Sequence, residues 1–137
     1  MRQVRRQRGV ALVEMAIILP LLVLLLAGVV SFGILIREHQ ILQNAAREGA
    51  RLSSLRPMPA VDVQNRVVAY LAQENITISA SDVTVNQDYL IPMGGSPPQS
   101  ARGSMVTVSY SRPMLIGGSL FPWTPTLTGV AVFRNLY

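Results

Sequence analysis

With one histidine and no cysteine in 137 residues, the chain has few routes to covalent chemistry. The missing thiols exclude a cysteine nucleophile, a disulfide scaffold, a thiolate zinc site and an iron–sulfur cluster. A Ser-His-Asp triad would have to use His39, which borders a long apolar run, far from most of the chain's Ser and Asp residues. Asp62, Glu74, Asp82 and Asp88 could supply an all-carboxylate metal site only if they converged. They occur singly over an expected helix, strand and loop, the pattern of a solvated surface. Gly94-Gly95 and Gly117-Gly118 read as turn glycines, without the strand–glycine–helix order of a phosphate-binding loop. Asn75-Ile76-Thr77 has the form of a glycosylation sequon, which matters only in a glycosylating host. We therefore expect no enzyme, no cofactor, no metal and no small-molecule substrate.

Glu14 resists that bland reading. It is the single ionisable residue between Val10 and Ile36. A carboxylate near the centre of a membrane helix costs on the order of 3 kcal/mol, and less toward the edge. Either it reaches headgroup water, helped by the helix N-terminus, or it awaits a cationic partner supplied by assembly. Position alone leaves both open.

The element that carries Glu14 is the 27-residue run Val10–Ile36. At about 1.5 Å per residue it reaches roughly 40 Å, more than a hydrocarbon core of about 30 Å. It exceeds the apolar region of a cleavable secretory signal and no A-x-A site follows it, so it reads as a retained anchor. Arg2, Arg5, Arg6 and Arg8 form a short, unstructured basic tail that favours a cytoplasmic N-terminus, although Arg37, Arg47 and Arg51 flank the other end. Nothing stops the helix before Pro57-Met58-Pro59, so it should continue through residues 37–56. Leu42, Ala45, Ala46, Gly49 and Leu52 then form a narrow stripe of mostly small residues, which we expect neighbouring molecules to cover. Pro20 interrupts the span, as a kink against lipid or as a break that neighbours re-satisfy. Ala27 and Ser31 make a small-xxx-small pair.

Residues 57–137 should form a small α+β domain. Val63, Val67, Tyr70 and Leu71 give Val61–Glu74 an amphipathic helical pattern that would cover a sheet. Asp82–Asn86, Met105–Ser111 and Thr126–Phe133 alternate as strands, and Ile76–Ser79 is a candidate fourth. We expect one helix on a three- to four-stranded antiparallel sheet. Ile91–Ser104, with paired glycines and prolines, reads as a mobile loop. Pro113–Pro125 is a second connection, unusually apolar. Its Met114, Leu115, Ile116, Phe121 and Trp123 could fill the domain core or form an assembly surface, and an aromatic-poor domain favours the core.

The string Arg5-Arg-Gln-Arg-Gly9-Val10-Ala-Leu-Val-Glu14-Met15, with the glutamate fifth after a glycine that ends a basic leader, resembles the class III signal of type IV pilins and pseudopilins. Arg8–Ala16, Leu19-Pro20-Leu21-Leu22 and Gln43-Asn-Ala45-Ala46-Arg-Glu-Gly49-Ala-Arg51 are closer still to the TadE-like family, minor pseudopilins of the Tad (tight adherence, Flp pilus) system. Met105–Tyr110 and Leu127–Phe133 resemble that family's C-terminal strands. Met15 stands where Flp-type motifs carry an aromatic. The resemblance implies a leader, residues 1–9, removed by a prepilin peptidase between Gly9 and Val10. It also implies that Glu14 pairs with the new amine of a neighbouring subunit, about one helical turn, roughly 6 Å, along the axis. Implied partners are the bacterial inner membrane, the peptidase, other Tad pilins and pseudopilins and the assembly platform, with residues 57–137 periplasmic. Implied roles are Flp pilus assembly and adherence. The alternative is a plain single-pass anchored binding or scaffold protein.

That reading also disposes of the charge. The sequence carries 12 arginines, no lysine and seven acids, a net +5. Without the first nine residues, eight arginines face seven acids over 128 residues, and the case for a nucleic-acid partner disappears.

Overall fold

The computed structural model describes residues 2–112 and 124–137, and the side chains of residues 2–9 lie outside that description. The expectation for Met114, Leu115, Ile116, Phe121 and Trp123 therefore falls outside the described residues. The chain is α+β, with a long N-terminal helix, a second helix and a three-stranded sheet.

Helix α1 runs from Arg2 to Leu55 without interruption, including through Pro20. The basic tail expected to be unstructured is its first two turns. Arg, Gln and Val are acceptable helix residues, and Gly9 alone does not end a helix that continues into an apolar run. Residues Val10–Leu55 make one helix long and apolar enough to cross a membrane, with mean hydropathy 2.8 over its most apolar window. It stops where Pro57 and Pro59 forbid continuation.

Helix α2, Ala60–Gln73, buries Val63, Val67 and Leu71 at the expected spacing. Asp62 in its first turn complements the helix dipole. Its far end closes in a Schellman arrangement: the Ile76 amide donates to the Leu71 carbonyl (2.9 Å) and the Asn75 amide to that of Ala72 (3.2 Å). Asn75 holds the left-handed position (φ 60°), which asparagine tolerates better than most residues. Ile76 turns into the core beside Leu71. Residues 76–79 are thus a helix exit rather than the fourth strand considered from sequence.

A short 3-10 turn, Ala80–Asp82, leads into an antiparallel meander of β1 (Val83–Gly94), β2 (Gln99–Ser111) and β3 (Thr126–Arg134), in spatial order β1-β2-β3. Val85 pairs with Val106 and Thr107 with Val130. The expected loop Ile91–Ser104 is instead mostly strand. Its turn signals act only at the tip, where Gly94 and Gly95 take positive φ (74° and 102°), and Ile91 pairs with Ala101 on either side.

The core places Val83, Val106, Val108 and Ala131 of the sheet against Leu42, Ala45, Ala46 and Ala50 of α1 and Val63, Val67 and Leu71 of α2. The small-residue stripe is therefore covered by the chain's own sheet and second helix, not reserved for neighbouring molecules. A stripe's periodicity reveals which face is buried but not what buries it. Small residues are needed there because the backbones approach closely. A Cβ on Gly129 of β3 would lie 2.5 Å from the Leu42 carbonyl carbon, and one on Gly49 would lie 2.6 Å from Val67 Cγ2.

Polar contacts lock the end of α1 to the sheet. Ser53 Oγ donates to Ser104 Oγ (2.9 Å), which donates to Asn135 Oδ1 (2.9 Å). Asn135 Nδ2 donates to the Gln87 carbonyl (3.0 Å), and Gln87 Nε2 to that of Met58 (2.8 Å). Each buried hydroxyl therefore finds a partner.

Candidate processing and assembly region

The residues singled out from sequence lie on α1 in two separate groups. Gly9, Val10, Glu14 and Met15 occupy its early turns, and Val10 and Met15 are 58% and 59% exposed. Glu14 is exposed among Leu12, Val13, Ile17 and Ile18, which are also exposed. Among the described residues it has no ion-pair partner, since the four described pairs all lie at residue 37 or beyond. Val10 and Glu14 are one turn apart, about 6 Å along the axis. That separation suits a carboxylate answering an amine at residue 10 of a second helix displaced by one turn.

Pro20 sits inside the unbroken helix, within an apolar surface exposed on all sides. The Ala27 and Ser31 pair is satisfied internally, because Ser31 Oγ donates to the Ala27 carbonyl (2.9 Å). Serine needs no second helix to bury its hydroxyl in such a setting.

The second group, Ala45, Ala46 and Gly49, lies roughly 47 Å or more further along the axis from Glu14. All three are buried in the core. They position the head domain on the helix and are not brought near Glu14.

The carboxylates examined as metal ligands do not converge. Glu74 pairs with Arg37 (3.6 Å), Asp88 with Arg102 (3.6 Å), and Asp82 Oδ2 accepts from the Ser79 amide (2.9 Å) at the start of the 3-10 turn. Asp62 stays in the first turn of α2. Among the described residues no three His, Asp or Glu side chains are grouped to hold a metal ion. His39 is exposed.

Sequence reasoning missed one contact of consequence. Glu38, only 7% exposed, pairs with Arg112 at the end of β2. The two are 74 positions apart, so no local spacing reveals them. The available signal was that Glu38 shares the helix face of Leu42, Ala45 and Gly49, four residues before the stripe begins. An acid there must be buried with a cation or not at all.

No curated protein and no solved structure is significantly similar to the chain. One family does match: the model of TadE-like proteins covers residues 9–51. That stretch begins at the glycine before Val10, contains Glu14 and Pro20, and ends within the part of α1 that forms one wall of the core. From Gly9 to Arg51, then, the chain is similar to TadE-like proteins, while α2 and the sheet lie beyond the matched segment.

Proposed function

We propose that the chain is a minor pseudopilin of a Tad pilus system, held in the bacterial inner membrane by the apolar part of α1 with its N-terminus cytoplasmic and its head domain periplasmic. The observation that carries this reading is the TadE-like match starting at Gly9, combined with a lone exposed carboxylate one turn past Val10. A prepilin peptidase removes residues 1–9, and the exposed α-amine of Val10 then provides the cation that Glu14 lacks. Pairing between neighbouring subunits compensates two charges that are each costly in lipid and sets their axial register. The apolar surface from Val10 to Ile36 supplies lipid contact before assembly and helix contact within it. The protein supports Flp pilus assembly and the adherence that depends on it, through contacts with other Tad pilins, pseudopilins and the assembly platform.

Intact mass of the protein from cells containing a Tad-type prepilin peptidase tests the reading, with loss of Met1–Gly9 expected. Retention of those residues under these conditions refutes it, and leaves a single-pass anchored scaffold as the surviving description. Glu14→Ala should still be cleaved yet fail to support piliation; normal piliation would remove the pairing from the mechanism.

A further inference from the structure

The end of the head domain nearest the apolar run carries a polar cleft that pilus assembly does not call on. Strand β1 begins at Val83, opposite Val108, so Ser109, Tyr110 and Ser111 of β2 extend past it. The segment leading into β1 borders them instead. Thr77, Ile78, Asp82, Ser109, Tyr110 and Ser111 line a half-open space of about 240 Å³. Ile78 and Tyr110 are also packed against the core, so part of its wall is apolar and fixed. The remaining groups are hydroxyls and one carboxylate.

The fold sets the height of this cleft above the apolar run. Helix α1 climbs as β2 descends: Leu42 abuts Gly129, whose register partner is Val108, and further up Ser53 reaches Ser104. Ser111 lies three residues past Val108, about 10 Å lower at 3.3 Å per residue. Ile36 lies six residues below Leu42, about 9 Å along the helix. The cleft therefore sits level with the end of the apolar run. That run of about 40 Å exceeds a hydrocarbon core of about 30 Å, so its last turns stand among lipid headgroups.

Of the acids near this level, Glu38 is paired with Arg112 and Glu74 with Arg37. No described ion pair engages Asp82. Its Oδ2 accepts from the Ser79 amide (2.9 Å), which leaves Oδ1 for a second donor. A carboxylate beside several hydroxyls suits a ligand whose ammonium N–H groups neighbour an oxygen-rich anion, since hydrogen bonds to ionised groups are the strong ones. We infer that the cleft binds the headgroup of phosphatidylethanolamine, with its ammonium on Asp82 and its phosphate on the hydroxyls of Ser109 and Ser111. The ethylene link between them lies against Ile78 and Tyr110. Phosphatidylcholine has no N–H to donate to Asp82, and phosphatidylglycerol brings no cation.

The test follows the backbone amides of the isotope-labelled full chain by nuclear magnetic resonance in phosphatidylcholine nanodiscs, titrated with phosphatidylethanolamine or phosphatidylglycerol. We expect the amides of Thr77, Ser109 and Ser111 to shift and saturate with phosphatidylethanolamine alone. Asp82→Asn should abolish the shift, although its side-chain oxygen can still accept from Ser79. Asp62→Asn, which removes the same charge at the start of α2, should leave it intact. Equal shifts with phosphatidylglycerol, no shift, or a shift that survives Asp82→Asn overturns the inference. Soluble O-phosphoethanolamine is a further arm: saturation at a lower concentration than the lipid requires would assign the cleft to a free compound and overturn the membrane source. The inference rests on the reading of α1 as a membrane anchor, and vesicle flotation separates the two. A chain that does not float refutes the anchor and the placing of the cleft together. A chain that floats without the phosphatidylethanolamine-dependent shift refutes only the cleft.

Discussion

Replacing Gly129 with alanine tests how the sheet is fitted to α1. The new Cβ would lie 2.5 Å from both the carbonyl carbon and oxygen of Leu42, and 2.9 Å from the Gln43 nitrogen. Carbon contacts are comfortable near 3.5–4.0 Å, so β3 and α1 must separate by about 1 Å. Every atom in the way is helix backbone, which no rotamer change can move aside. Overpacking of a core typically costs 1–3 kcal/mol, and an unyielding neighbour puts this change at the upper end, about 3 kcal/mol. For a unit of roughly 100 residues, each kcal/mol lowers the melting temperature by about 4–8 °C, so the fall should be about 12–24 °C. Gly49→Ala is the matched control. Its Cβ meets Val67 Cγ2 at 2.6 Å, a side-chain methyl rather than helix backbone, so the strain falls on the packing of α2 and not on two abutting main chains. Alanine also gains about 1 kcal/mol over glycine in a helix, so the net loss should be smaller than at Gly129. The assay is thermal unfolding of the full chain in detergent micelles, followed by the near-ultraviolet signal of Tyr70 and Tyr110, which pack against the core. Equal melting of Gly129→Ala and the parent, or an equal fall for both variants, would refute the reasoning.

Arg112→Ala should destabilise the domain by about 3 kcal/mol, because it strands the buried Glu38 carboxylate. Adding Glu38→Leu should recover most of that loss in a denaturant double-mutant cycle, whereas a purely additive cycle counts against a coupled pair. Ser104→Ala should cost about 1–2 kcal/mol by leaving Asn135 Oδ1 without its donor, read as a lowered urea midpoint at unchanged slope. Asn75→Val should lower stability by about 1–2 kcal/mol and Asn75→Gly should not, because the position holds positive φ. Arg102→Ala, which breaks an exposed pair at 3.6 Å, should shift stability by less than about 0.5 kcal/mol.

Periodicity and breakers made the elements legible. The prolines at 57 and 59 mark the end of α1, and alternation of Val and Thr marks the strands at Val83, Val106 and Val130. Extent was less legible, because Gly94-Gly95 and Pro97-Pro98 suggested a long loop where they shape only a tight tip between paired strands. Partnership was least legible. Ala45, Ala46 and Gly49 announce a close contact without saying whether the other side is a neighbour or the chain's own β3. In the candidate site, Glu14 stands out because charge is rare in an apolar helix, whereas Gly9 and Val10 are marked only by the resemblance of the string around them. Glu38 and Arg112 do not stand out, because their meaning arises only when β2 returns to the helix. Ile76 was read for a strand because β-branched residues favour one, but a left-handed asparagine before it turned the residue into a helix exit.

A single helix serves both as the candidate anchor and as one wall of the core, with no flexible joint between these parts. Mechanically, the head domain is a rigid flag on a mast. An axial pull on the lower helix raises the domain by the same distance, and a twist turns it through the same angle, since no linker absorbs either. The load passes through Leu42, Ala45 and Ala50 into the sheet before it reaches any loop. The same design makes the domain inseparable from its stem. A soluble fragment must keep the helix from about residue 37, because cutting at Leu55 would remove one side of the core and leave Val106, Val108 and Ala131 facing water.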